Sequence, residues 1–488
     1  MTDLISLASL PARFTAERPA AIAVTSVSGD LTWGDLDRRT NRIARALGAL
    51  GVRENDFVTL ALPNDACFVE AVWGIWKLGA TPQPVSWRLP PAEVASIVEL
   101  ANPPVVIAGP DIHVVGRPRV SVADLLAASD DARPLPDRVA IHANALTSGG
   151  STGRPKLIVS NEPAAVMEGK IASWRVGSDS ISVVPGPLYH SGPWGGAFTT
   201  LMAGGRLVVL PRFEPEAVLE AVATHRATWL YQVPTMMGRI WRLPDEVKAA
   251  YDLSSLQSVW HLAAPCPPWL KEAWIGWVGG DVLMELYSGT EGIAVTVISG
   301  TEWLAHRGSV GRVVSGEMKV VDTDGATVAP GVHGEIYLRP SAERGVPYHY
   351  VGAEPRSQDG GWESLGDMGW FDAEGYLYLA DRRTDMILVG GANVYPAEVE
   401  AALGQHPLVL SSAVIGLPDD DMGNRIHAIV QPAPGLDMDD LQRHLAGHLV
   451  SYKRPRSFEL TDEPLRDESG KVRRSQLRDA RIAAATAS

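Results

Sequence analysis

Short apolar runs that alternate with helix-length segments restrict the fold of this chain more than any other feature. Residues 57–62, 105–108, 183–185, 207–210, 229–233, 258–262 and 282–286 each read as a buried strand, and most are followed by a stretch long enough for a helix. This βαβ alternation predicts a layered α/β domain. The clearest helix opens at Thr32, with Asp35 in capping-box position, Leu36, Thr40, Ile43, Leu47 and Leu50 on one face, and Gly51 at its end. A helical stretch rich in Ala, Val and Trp runs to Gly79. From residue 308 to about 338 the pattern changes to short alternating runs with glycine turns, the signature of a β-rich subdomain. A strand-like run over 375–380 ends in the polar patch Asp381-Arg382-Arg383-Thr384, which marks a boundary. Beyond it come a helix from Pro396 carrying Val399 and Leu403, strands at 413–415 and 426–430, and a helix carrying Leu441, Leu445 and Leu449. The organisation expected is a large domain over 1–383 and a small α+β domain over 384–488.

Length supports that division, because 488 residues exceed what one hydrophobic core organises. The formal charge of -14 argues against a nucleic-acid or anionic-membrane partner that needs a basic footprint. Cys67 and Cys266 stand far apart, without metal-ligand spacing or a disulfide framework, which fits a reducing compartment. The N-terminal stretch lacks a basic start followed by an apolar core, and no apolar run reaches bilayer-spanning length. The expectation is a soluble, cytoplasmic protein.

The segment richest in chemistry is Thr147-Ser148-Gly149-Gly150-Ser151-Thr152-Gly153-Arg154-Pro155-Lys156. Small residues let backbone N–H groups and hydroxyls face an anion while Lys156 supplies a cation, so the composition suits a polyphosphate. The plain alternative is a surface turn. The segment is not a Walker A loop, which needs four residues between its glycines and a lysine directly after the second. Gly149-Gly150-Ser151-Thr152-Gly153 also matches the nucleophile elbow of serine hydrolases. An elbow serine must open a helix, however, and Pro155 would sit four residues into it, which disfavours a hydrolase using Ser151.

Further motifs follow in order: Pro187-Leu188-Tyr189-His190, Ala263-Ala264-Pro265, Tyr287-Ser288-Gly289-Thr290-Glu291, Gly366-Asp367, Asp381-Arg382 with Asp385-Met386-Ile387, Gly390-Gly391-Ala392-Asn393-Val394, and Ser469-Gly470-Lys471. With the 147–156 loop they resemble, nearly end to end, the ANL superfamily of adenylate-forming enzymes: acyl-CoA synthetases, carrier-protein adenylation domains and beetle luciferases. That resemblance implies an ATP-dependent enzyme that joins a carboxylic acid to AMP and then to coenzyme A. It also implies Mg²⁺ as a cofactor, and a homodimer by analogy.

The resemblance also implies roles. The backbone at Ala263, Ala264 and Pro265 corresponds to the adenine edge contact, Tyr287 and Ser288 to the adenine side, and Thr290 to an α-phosphate contact. Glu291 corresponds to the magnesium ligand, a hard carboxylate suited to a hard cation. Asp367 corresponds to the ribose carboxylate, with Arg382 as a second ribose contact, and His190 to a catalytic-site histidine. Lys471 corresponds to the lysine that neutralises charge as the carboxylate attacks the α-phosphorus. From charge alone, Lys471, Arg473 and Arg474 read as a basic tail; the preceding Ser469-Gly470 favours the catalytic reading. For the second step the small domain is expected to rotate about Thr384, withdrawing Lys471 and presenting Gly390, Gly391 and Asn393 along the pantetheine channel. Leu388 stands where relatives often carry lysine, which keeps open an adenylation-only enzyme that hands acyl-AMP to a partner enzyme or carrier protein.

The stretches 149–153 and 261–267 look most like the bile-acid, steroid-acid and diterpenoid-acid CoA ligases. Trp194, Trp229, Tyr231, Met236, Met237, Trp260, His261 and Gly289 fall in segments that line the acyl tunnel in relatives. Large flat side chains suit a wide apolar pocket, although ordinary core packing is the favoured reading of any single one of them. The expected substrate is a bulky alicyclic or polycyclic carboxylate, with aromatic or medium-chain acids as the second choice.

Overall fold

The computed structural model describes residues 4–112, 114, 116–149, 155–166, 171–380, 385–389, 392–419, 421–467 and 470–486. The helix α1 (Trp33–Ala49) forms where its cap demands it. The Thr32 hydroxyl accepts from Asp35 N–H at 3.1 Å while the Asp35 carboxylate accepts from Thr32 N–H, so two otherwise orphaned donors are satisfied. Leu36, Thr40, Ile43 and Leu47 are buried; Leu50, expected on the same face, lies at the C-cap beyond the last turn and is exposed. The strand β1 (Phe57–Ala61), the helix α2 (Ala66–Trp76) and the strands β2 (Thr81–Pro84) and β3 (Val106–Ala108) form a small parallel sheet ordered β2-β1-β3. An antiparallel hairpin follows, β4 (Ala145–Gly149) and β5 (Pro155–Ser160), with Ser148 opposite Lys156. Pro155 thus opens a strand and not a helix, so the 147–156 segment is not a strand-turn-helix elbow.

The large mixed sheet is built around parallel strands. These are β6 (Ile181–Val184), β7 (Arg206–Val209), β8 (Trp229–Gln232), β9 (Ser258–His261) and β10 (Leu283–Tyr287), ordered β7-β6-β8-β9-β10. The helix α3 (Ser191–Met202) precedes β7, α4 (Pro234–Trp241) follows β8, and α5 (Pro268–Val278) follows β9. Because side chains alternate along a strand, the two faces feed different cores. Trp229, Tyr231, Trp260 and Met284 join one cluster, whereas Leu230, Val259 and Leu283 join the other. The sheet turns antiparallel at β11 (Val295–Ser299) and continues through β12 (Ser309–Ser315). The strands β13 (Glu317–Val321), β14 (Gly334–Arg339), β16 (Trp362–Phe371) and β17 (Leu377–Leu379) complete this antiparallel, β-rich part; β15 (Tyr348–Val351) instead pairs with β5.

Past residue 384 the chain has its own apolar cluster. The hairpin β18 (Ile387–Val389) and β19 (Ala392–Val394) precedes α6 (Pro396–Gly404), β20 (Val409–Asp419), β21 (Gly423–Pro432), α7 (Met438–His448) and β22 (Ser457–Leu460). Val399, Leu403, Val414, Ile426, Leu441 and Leu445 fill a core that draws only on residues 387–458. The helix α8 (Arg474–Thr486) closes the chain against β20. Among the described residues no helix is long and apolar enough to cross a membrane.

Candidate active site

The parallel neighbours β8, β9 and β10 present their carboxyl ends together, the position at which open α/β sheets collect ligands, and β5 reaches the turn after β10 through Lys156. The turn after β10 carries the densest polar cluster. Tyr350, on β15, donates to Glu291 Oε1 at 2.5 Å. Lys156, on β5, places Nζ 3.7 Å from the same oxygen and 3.7 Å from the centre of the Tyr350 ring. Burial first, then the Glu291 charge, pushes the Tyr350 phenol well above its ordinary pKa, so it stays a proton donor. Thr290 donates to Ser191 Oγ at 3.0 Å, which ties this turn to the start of α3. Gly289 is required by close approach: a Cβ there would overlap Leu365 Cδ1 and come within 2.6 Å of Glu291 Oε2. Ser288 spends its hydroxyl on Ala294 O at 2.8 Å and holds the turn's shape.

At the end of β10, Tyr287 donates to Asp367 Oδ2 at 2.8 Å, so ring and carboxylate are set together from β10 and β16. Ala263 adopts φ +74°, a left-handed conformation that costs a β-carbon residue on the order of 1 kcal/mol and bends the chain sharply after β9. Thr147 is committed to β2, accepting from Gln83 Nε2 at 2.9 Å and donating to Pro84 O at 3.3 Å. Gly150, Ser151, Thr152, Gly153, Arg382, Thr384, Gly390 and Gly391 lie outside the described residues, as do the side chains of Ser148 and Asn393.

Lys471 reaches this region on a tight turn. Gly470 has φ +81°; its N–H donates to Asp467 O at 2.9 Å, and Lys471 N–H donates to Asp467 Oδ1 at 3.0 Å. A Cβ at Gly470 would lie 2.8 Å from Thr235 Oγ1 and 3.4 Å from Val233 Cγ2, so the turn sits directly on the start of α4. Arg473 pairs with Glu93 at 3.7 Å, a second contact between the two parts of the chain. His190, just before α3, is held neutral: burial lowers its pKa to about 4, Asp467 opposes that shift, and Lys471 and Arg473 reinforce it.

The aromatic residues divide. Trp229 donates its indole N–H to Trp174 O at 2.9 Å, and Trp174 lies 5.4 Å from Trp260 between ring centres. Tyr231 packs so tightly on α3 that a Cβ at Gly192 would lie 2.7 Å from its hydroxyl. Trp194 belongs to an aromatic core with Phe68, Trp76 and Phe198. Met236 shares the cluster of Trp229 and Tyr231, but Met237 does not: one step along a helix turns it by about 100°, into the opposite core beneath Trp274. His261 likewise points away from Trp260, its neighbour on β9, so neither Met237 nor His261 shares the cluster of Trp229, Tyr231 and Trp260. His261 lies in a buried row with Gln232, its cross-strand partner, and with Glu285, whose Oε1 is 4.0 Å from His261 Nδ1 and whose other oxygen bonds Lys271.

Sequence reasoning missed Tyr350, Ser191, Trp174, Lys271 and Glu285. The alternation Tyr348-His349-Tyr350 was a usable strand signal, whereas Lys271, next to Glu272 on a largely apolar helix, gave no hint of Glu285. Among the described residues no cluster of three metal-ligating side chains exists. One carboxylate, Glu291, beside a phosphate-suited lysine fits a Mg²⁺ held jointly with nucleotide phosphates.

The profile of the family described as AMP-binding enzyme matches residues 12–342, and that of the AMP-binding enzyme C-terminal domain matches residues 398–471. A feruloyl-CoA synthase of an Amycolatopsis species is 33% identical over 490 residues, covering 97% of this chain and 98% of the relative. A 3-[(3aS,4S,7aS)-7a-methyl-1,5-dioxo-octahydro-1H-inden-4-yl]propanoyl:CoA ligase of Rhodococcus jostii is 30% identical, covering 92% and 93%. The o-succinylbenzoate CoA synthetase of Bacillus subtilis, solved with its acyl-adenylate intermediate, superposes with a TM-score of 0.81 at 26% identity, covering 96% and 98%. The chain belongs to the AMP-binding enzyme family, within the adenylate-forming ANL superfamily of acyl-CoA synthetases.

Proposed function

We propose that this chain activates a bulky carboxylic acid with ATP and transfers the acyl group to coenzyme A. A carboxylate oxygen attacks the α-phosphorus, the bond to pyrophosphate breaks, and the CoA sulfur then attacks the acyl carbon and releases AMP. The supporting observation is the seating of the Lys471 turn on the large domain beside His190, whose neighbour Ser191 bonds Thr290 next to Glu291. A cation there faces the developing phosphate charge without reorganisation. Lys156 and the 147–156 turn would cradle the outer phosphates. Tyr287, Asp367 and the 263–265 bend would hold the nucleoside, with Arg382 as a second ribose contact. Glu291 would hold Mg²⁺, which supplies Lewis-acid neutralisation of phosphate oxygens when bound.

For the thioester step Gly390, Gly391 and Asn393 would line the thiol path after rotation about Thr384, with the domains divided at 383/384. Leu388, 49% exposed on β18, is an apolar side chain at the site entrance under this reading and adds no charge there. ATP and CoA use, with two free cysteines, fits the cytoplasm.

We assign the acid to the alicyclic or polycyclic class named by the Rhodococcus relative, with an apolar wall of Trp174, Trp229, Tyr231 and Trp260. An aromatic acid is the second reading, favoured by the feruloyl-CoA synthase relative and by the tight Tyr231–Gly192 contact. Pyrophosphate release from a panel of cholate, ferulate, indole-3-acetate and octanoate tests both. Preference for octanoate rejects the assignment.

A further inference from the structure

The helix α4 touches the small domain at both ends. At its start, Thr235 lies against Gly470, the residue before Lys471. At its C-cap, Arg242 extends Nη2 to Val409 O at 3.0 Å and Gly404 O at 3.3 Å. Gly404 is the last residue of α6, where carbonyls have no intrahelical donor and the helix dipole is negative, so a guanidinium satisfies both needs. Arg242 also donates to Gly238 O within α4, and its head lies 5.9 Å from the Trp269 ring centre, which fixes its direction. Thr235 and Arg242 are seven residues apart, roughly 10 Å along the helix. Two contacts at that spacing define the orientation of a docked body far better than one.

Resting on the adenylation reading above, we propose that Arg242 is a positioning residue for the first half-reaction: it grips the end of α6 and so holds the Lys471 turn against Thr235. The thioester half-reaction requires the small domain to turn away, and Arg242 then holds nothing. The two half-reactions must therefore respond differently to its removal. A residue needed only for folding would lower both alike.

The test uses the full-length chain and the acid of the panel that supports the fastest pyrophosphate release. In Arg242→Met, acyl-AMP formation is expected to fall about tenfold or more, the scale of two charge-assisted hydrogen bonds, through kcat with little change in KM for ATP. Conversion of the corresponding synthetic acyl-AMP and CoA to thioester is expected to stay within about twofold of wild type. Arg242→Lys, which keeps the charge over Trp269 and reaches one carbonyl, should recover part of the first rate, and it carries the same comparison if Arg242→Met lowers the melting temperature. Equal losses in both half-reactions, or no loss in either, overturn the proposal. Failure of the wild-type chain to form acyl-AMP from any panel acid would instead reject the reaction itself.

Discussion

Two lysine-glutamate pairs flank the end of β10, and they are built for opposite purposes. Lys271 and Glu285 make a close contact with side chains 1% and 8% exposed, in a row with His261 and Gln232 under the sheet. Glu291 lies six residues beyond Glu285 and pairs with Lys156 at 3.7 Å, with the lysine 23% exposed and laid on the Tyr350 ring. The buried pair ties α5 to β10. The open pair is separable, and a phosphate and a metal ion can each take one member. The glutamates are equally buried, so under the proposed function it is the exposure of the lysine and the longer separation that distinguish the open pair.

That contrast can be broken from either side. Glu291→Gln should lower Mg²⁺-dependent acyl-AMP formation by about 10²–10³-fold, the scale of losing one preorganised electrostatic contact, with an unchanged urea midpoint. A large stability loss there would make the open pair structural after all. Lys271→Met should do the reverse, costing about 3–5 kcal/mol by leaving Glu285 buried and unpaired, while activity per folded molecule stays near wild type. Urea unfolding followed by pyrophosphate release on the same sample reads both. Tyr350→Phe removes one hydrogen bond to Glu291 and should cost about three- to tenfold in the Mg²⁺ concentration needed for half-maximal rate; no shift would detach Tyr350 from the site.

The smallest effect concerns pH. Burial lowers the His261 pKa to about 4, against an ordinary value near 6.5, so the unfolded chain binds a proton in this window that the folded chain refuses. The stability His261 contributes is complete above about pH 6.5 and is lost as pH falls toward 4. The urea midpoint of wild type should drop more between pH 7 and 5 than that of His261→Asn. Identical drops would mean that the row under the sheet titrates elsewhere.

Much of this fold was legible because local and global preferences agree. The Thr32–Asp35 capping box and every apolar run of the parallel sheet form within a residue or two of expectation, since cap chemistry and strand hydrophobicity are local properties. The proposed site residues on turns were suggested in a different way: glycine, small hydroxyls and lysine in a fixed order carry a family pattern. What the sequence concealed is relational. His261 and Trp260 are neighbours in the chain yet face opposite cores, and Met237 turns away from Met236; strand and helix periodicity decided both, against a reading made segment by segment. Arg242 gave no signal at all, because its acceptors are backbone carbonyls of Gly404 and Val409, which no side-chain pattern encodes.

The central claim is that the Lys471 turn, seated against Thr235 and felt electrostatically by His190, acts on phosphorus and on nothing later. Lys471→Ala, assayed separately in the two half-reactions, tests it most directly. Acyl-AMP formation is expected to be lost while thioester formation from supplied acyl-AMP and CoA proceeds at close to the wild-type rate. Retained acyl-AMP formation, or parallel loss of both steps in a folded protein, would contradict it.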